Sequence, residues 1–259
     1  MNTEETVRAP RFKWSFRLVI TVLCMAAMMS KDMVSSNLSM AIVCMVNSSA
    51  TKINQAENHS ETAKCSTYTN NSHAHRENYP GKLLWDSAAQ GLLFSSFDWG
   101  LMMIVFTGII VDLWSPKWLA VISTVVASLV TVITPPIARL SYASTIMLRV
   151  ILGACNAILN PSVNKLISCW IPKNERNTAY AISTCGDQVS TIILLPLAGY
   201  FCSLVWIDEG WPLIFYFSGA VGVILVIFWI VFTTDRVASN KWIGMEEQRY
   251  IASQMQIEV

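Results

Sequence analysis

Charge is what this sequence has least of. Only 14% of its 259 residues are Asp, Glu, Lys or Arg, against about 25% in a soluble domain. The two signs nearly cancel, with 18 Lys and Arg against 17 Asp and Glu. No basic field invites nucleic acid and no acidic field invites cationic partners. Histidine is rarer still: His59, His73 and His75 are the three present, and all fall in one polar stretch. The seven cysteines contain no Cys-x-x-Cys pair, so no metal or redox motif is visible. Six of them, Cys24, Cys44, Cys155, Cys169, Cys185 and Cys202, lie in apolar stretches and only Cys65 in a polar one, which does not describe a disulfide scaffold. No paired catalytic motif stands out, so an enzyme is not expected, nor a cofactor or metal.

Apolar residues are abundant instead, 53% of the chain with a mean hydropathy of +0.45. That density calls for a bilayer as solvent. A helix needs ~20 mostly apolar residues to cross the hydrocarbon. Six stretches qualify: Arg17–Val46, Ala88–Val111, Lys117–Ala138, Tyr142–Ile171, Thr178–Trp206 and Trp211–Thr234. The expected fold is therefore all-α, a polytopic bundle over residues 17–234. A tail (1–16) precedes it and an amphipathic stretch (235–259, with Trp242, Met245, Tyr250 and Ile251) follows it. The basic start and the short apolar run from Leu18 to Met29 also resemble a signal peptide. No small-residue cleavage site follows and the apolar pattern resumes at Leu38, which favours an uncleaved first helix.

With the N-terminus in the cytoplasm, ten Lys and Arg fall inside and five outside, and Lys31, Arg149 and Lys165 remain within spans. The bias follows the positive-inside rule and puts both termini in the cytoplasm. The polar stretch 47–82 then faces outward. It holds three acceptor sequons, at Asn47, Asn58 and Asn70, whose residue pattern is used only on that side. Asn37 has the same pattern but sits inside a span.

Polar groups inside spans usually face the bundle interior or a cavity. In the fourth span Arg149, Gly153, Asn156, Asn160 and Asn164 fall within a stripe of about 80° at 3.6 residues per turn. One cation and three amides on one face can bind an anionic or hydroxylated solute, or can form a seam between helices. Pro161 removes a backbone donor mid-span and is expected to bend that helix or open its ladder. The first span is interrupted at Ser30-Lys31-Asp32 and Ser35-Ser36-Asn37, with Asp32, Ser36 and Ser39 on one face. In the fifth, Ser183, Thr184, Asp187, Ser190 and Thr191 share a face, and the second contributes Asp98. These carboxylates are either proton or cation sites or structural ions paired with Arg149 or Lys31. Lys165, on the far side of its helix, is expected to snorkel to the interface.

Several segments resemble a known family. Asn37-Leu-Ser-Met-Ala-Ile-Val-Cys-Met-Val-Asn47 is similar to the end of helix one in the anion:cation symporters of the major facilitator superfamily, the group of sialin, vesicular glutamate transporters and type I sodium–phosphate cotransporters. Trp85-Asp86, Gln90-Gly91, Ser96-Phe97 and Trp99-Gly100 resemble its helix two. Leu148-Arg149 to Pro161 resembles helix four. Trp170-Ile-Pro172 with Glu175-Arg176, then Gly186, Pro196-Leu-Ala-Gly199 and Gly210-Trp-Pro with Phe215-Tyr216, continue the likeness through helix six.

The resemblance implies the six-helix N-terminal bundle of a secondary transporter. It would move a small anion by alternating access, coupled to a proton or sodium ion, in a plasma, vesicle or lysosomal membrane. Arg149, Asn156, Asn160, Asn164 and Ser36 would meet the solute. Asp98, Asp187 or Asp32 would carry the coupling ion. Gly108, Asp112, Lys117, Glu175 and Arg176 would form a cytoplasmic latch, with Arg176 as partner of Asp112. Two departures bear on the solute: Ser35 stands where relatives commonly carry arginine, and Asn156 where several carry glutamate. Relatives also have about twelve spans. Either a C-terminal six-helix half completes this bundle, or the chain is a truncated, transport-inactive form that associates with a full-length transporter.

Overall fold

The computed structural model describes residues 15–45, 85–204, 210–234 and 242–256. The sequons at Asn47, Asn58 and Asn70 lie outside them. Among the described residues eight helices run in order: α1 (Phe16–Met45), α2 (Ser87–Leu101), α3 (Ile104–Leu113), α4 (Pro116–Leu140), α5 (Tyr142–Trp170), α6 (Lys173–Ser203), α7 (Trp211–Phe232) and α8 (Met245–Gln256). No strand occurs among the described residues. Six segments are long and apolar enough to cross a membrane, with α2 and α3 making one broken span, Ser87–Leu113.

Local chemistry sets the helix starts. Asp86 caps α2 by accepting from the Ser87 N–H at 2.8 Å. Ser115 caps α4 at 3.4 Å from the Trp118 N–H, with Pro116 at the first turn, where its missing donor costs nothing. Contrary to the expected interruption, α1 is continuous through Ser30–Asn37. It contains neither Pro nor Gly, and Ser35 returns its hydroxyl to the Lys31 carbonyl at 2.9 Å, so the polar run does not unwind it. The fifth span begins earlier than expected. Glu175 and Arg176 belong to the first turn of α6 rather than to a loop.

Pro161 does not break α5 either. Its missing N–H frees the Ala157 carbonyl, and the Thr107 hydroxyl of α3 lies 3.0 Å from that oxygen. A neighbouring helix thus satisfies the group that proline orphans.

The bundle packs α1 against α6 and α7, α2 against α5, and α4 against α5 and α7. Small residues allow the close crossings. A Cβ added at Gly100 would lie 2.0 Å from the Val150 carbonyl oxygen, and one at Gly153 2.0 Å from that of Phe97. The apolar interior divides into two clusters. One, around Ile20, Cys24, Leu166, Trp170 and Trp229, fills the end where α1 begins. The other, around Leu38, Trp85, Leu194, Trp211 and Phe215, fills the opposite end. Between them every span carries polar groups: Ser30 to Asn37 in α1, Ser96 in α2, Ser128 in α4, Arg149 and Asn156 in α5, Ser183 to Ser190 in α6, Ser218 in α7. This polar belt at mid-height is the feature on which function turns.

Candidate substrate site

Arg149 sits inside the belt, 2% exposed. Its Nη2 donates to Asn37 Oδ1 at 3.2 Å and its Nη1 to the Ser35 carbonyl at 3.4 Å. Asn37 in turn donates to Ser218 of α7 at 3.3 Å. The guanidinium therefore ties α5 to α1. Among the described residues no carboxylate pairs with it, and its Nε has no partner.

The accessible cation is Lys31. Its Nζ lies 3.2 Å from Asp187 Oδ1 and 3.5 Å from Asn160 Oδ1, so α1, α5 and α6 meet there. The next residue of α1, Asp32, receives the Thr191 hydroxyl at 3.4 Å and the Ser36 hydroxyl at 3.5 Å. Asp187, Asp32, Asn160 and Ser36 are only partly covered and form one polar patch with Lys31. The α6 stripe expected on one face divides. Ser183 and Ser190 are buried, while Thr184 and Thr191 are exposed.

The other expected solute contacts fall elsewhere. Asn156 is buried and donates to its own Leu152 carbonyl at 2.9 Å. It also lines a narrow pocket with Ser30, Lys31, Ser123, Thr124 and Ser128. Ser128 Oγ is buried there without a partner. Asn164 is exposed, its carbonyl receiving the Tyr180 hydroxyl at 3.2 Å. Asp98 is exposed on α2 and makes no ion pair among the described residues.

At the end where α1 begins, the expected latch is wired differently. Asp112 pairs with Lys165 at 2.8 Å, not with Arg176. Lys165 therefore does not simply snorkel: it reaches the end of α3. Arg176 donates to the Ser168 carbonyl at 3.0 Å, and Lys117 to that of Ile230 at 3.2 Å. Gly108 has open space around it. Glu175 binds Arg17.

Two features were missed. Arg17, 0% exposed, pairs with Glu175 and with Glu247 of α8 at 3.1 Å, under the Tyr250 ring at 5.0 Å. Glu247 also accepts the N–H groups of Phe16 and Arg17 at 3.1 and 3.2 Å, capping α1. The amphipathic stretch thus docks on the bundle through Tyr250 and Ile251. A basic residue opening the first apolar run was the only hint. The second is a Cys44–Cys202 disulfide joining the last turns of α1 and α6, where no disulfide was expected. Both cysteines close a span at the same end, a signal that apolar surroundings had hidden.

Residues 20–254 match the Major Facilitator Superfamily. Human sialin is 29% identical over 85% of the chain and 43% of its own length. Vesicular glutamate transporter 3 of Danio rerio is 30% identical over 66% of the chain and 29% of its own. A putative inorganic phosphate cotransporter of Drosophila melanogaster is 28% identical over 96% and 46%. In fold, a bacterial homologue of the human lysosomal transporter Spinster, inward-facing and unoccupied, superimposes with a TM-score of 0.61 at 15% identity over 85% of the chain and 44% of its own length. The chain spans about half the length of the curated relatives it matches. A multi-pass membrane protein built as six apolar helices around a polar belt, it belongs to the Major Facilitator Superfamily and is homologous to the sialin and vesicular glutamate transporter group.

Proposed function

We propose that this bundle is half of a secondary transporter for a small organic or inorganic anion, driven by a co-transported proton or sodium ion. The observation that carries the reading is the belt: two cations, Lys31 and Arg149, held within the apolar spans, the second with no paired carboxylate among the described residues. Charge inside a span is costly and commonly marks a solute or ion path. Asp187 and Asp32 lie within the same patch and are the candidates for the coupling ion. Asp98 remains a further candidate from α2. Arg149 acts from behind the patch, and Asn160 and Ser36 stand on its accessible side.

Alternating access rocks one bundle against another around a midplane site. The exposed apolar residues of α2 and α3, among them Trp99, Phe106 and Ile109, suit contact with lipid or with a second six-helix bundle. That bundle would come from the same chain or from a partner. In this reading both termini lie in the cytoplasm. The charge bias supports this, and so does the disulfide, which lies at the end away from Arg17, as an oxidising exterior or lumen requires. The membrane is the cell surface or an internal vesicle or lysosome, and glycans at Asn47, Asn58 and Asn70 would face outward.

The test is uptake of labelled phosphate and glutamate by cells expressing the full natural product, under imposed proton or sodium gradients. Gradient-driven accumulation of either anion is expected. Absence of both, with the protein present in the membrane, overturns the reading.

A further inference from the structure

Lys31 and Asp187 form a loose pair. Their separations, 3.2 and 3.4 Å to the two carboxylate oxygens, exceed the 2.8 Å of Lys165 and Asp112. The side chains remain 16% and 32% exposed. Lys31 lies about 22 Å along α1 from its first residue at 1.5 Å per residue, close to the middle of the membrane. Arg149, in contrast, spends its donors on Asn37 and a backbone carbonyl. A solute could reach Arg149 only by parting α1 from α5. It reaches Lys31 without moving either.

We propose that Lys31 is the direct anion contact of this bundle and that Asp187 is its built-in competitor. This rests on the anion-transport reading above. The solute's carboxylate or phosphate oxygen takes the place of Asp187 at Nζ, with Asn160 alongside. The charge count explains the need for competition. Within α1, α5 and α6 the cations Lys31 and Arg149 are matched in number by Asp32 and Asp187. An added anion is one charge too many at a depth where net charge is costly. Once Asp187 is released, a cation from solution can settle on it, and neutrality returns with one anion and one cation aboard. Among the described residues the Asp187 carboxylate meets Lys31 of α1, and its backbone carbonyl receives the Thr191 hydroxyl; Asn160 of α5 shares Lys31 with it and Asp32 of α1 shares Thr191. The neighbouring α7 sequence contributes no charged residue. Lys31 also lines a narrow pocket with Ser128, whose buried Oγ has no partner among the described residues; Asp187 and Asn160 do not line it.

Competition makes the two partners respond in opposite directions, which a merely structural ion pair would not. The experiment is equilibrium binding of labelled phosphate and glutamate to the full natural protein in lipid nanodiscs. Lys31→Gln is expected to weaken binding at least ~10-fold, a loss of ~1.4 kcal/mol. Asp187→Asn is expected to tighten it by a similar factor while abolishing gradient-driven uptake. Lys31→Arg, which keeps the charge, should retain binding and guards against misfolding as the cause of loss. Both variants weakening binding, or neither changing it, overturns the proposal while leaving anion transport standing. A wild-type protein that binds neither probe overturns both.

Discussion

Among the described residues two arginines are buried, and they are answered in opposite ways. Arg17, at the end of the molecule, meets two carboxylates and an aromatic ring. Arg149, deep within the bundle, meets an amide and a carbonyl and, among the described residues, no carboxylate. The first is a finished structural ion cluster, whose neutralised charge ends its influence within a few ångströms. The second keeps its field. In a low-dielectric interior that field reaches the belt around it, where Lys31 adds to it. The lesson is that burial alone does not mark a functional cation: the absence of a matching anion does.

Arg17→Ala should do the most damage. It strands Glu175 and Glu247 in a covered site, a loss on the scale of ~3 kcal/mol after discounting for the part-exposed Glu175. It should also detach α8. A thermal-shift assay in detergent and trypsin cleavage near Lys241 would read both, and an unchanged unfolding temperature would erase the contrast from one side. Arg149→Ala removes hydrogen bonds to neutral groups and should cost ~1–2 kcal/mol, yet abolish anion uptake at normal surface expression. Persistent uptake would mean the unanswered charge has no transport role. Asn37→Asp would convert Arg149 into the Arg17 type by placing a carboxylate 3.2 Å from Nη2. Stability should hold while uptake falls, and uptake that stays level would show that the free charge is irrelevant. Lys165→Ala should be nearly silent, within ~0.5 kcal/mol, because that pair is exposed. A larger loss in the same thermal assay would make the Asp112 contact a true latch.

The six spans were legible because a bilayer-crossing helix writes its length into composition. Helix ends were read within a few residues where a cap or proline stood, as at Ser115-Pro116 and Gly210-Trp211. The start of α6 was misplaced because its first turn, Lys173 to Arg176, is charged and carries no apolar signal. The helix that carries the α5 stripe is present, but periodicity gives an angle and not a neighbour. It could not say that Asn37 would fill the hand of Arg149 or that Asn164 would end in the open. Nor could it choose among partners for Lys31, a matter of how α1, α5 and α6 cross. The Arg17 cluster joins residues 230 positions apart, and no local pattern records such a meeting.

The pairing of α1 with α6 is pinned at three heights. Arg17 and Glu175 hold the bottom, Lys31 and Asp187 the middle, and Cys44 and Cys202 the top. The top rung is covalent and the bottom one is sealed from water on the arginine side. Only the middle rung is open to exchange with ions. The two helices therefore behave as a bow strung at both tips. Whatever loosens the centre can spread them there, and whatever swings one of them swings the other with it.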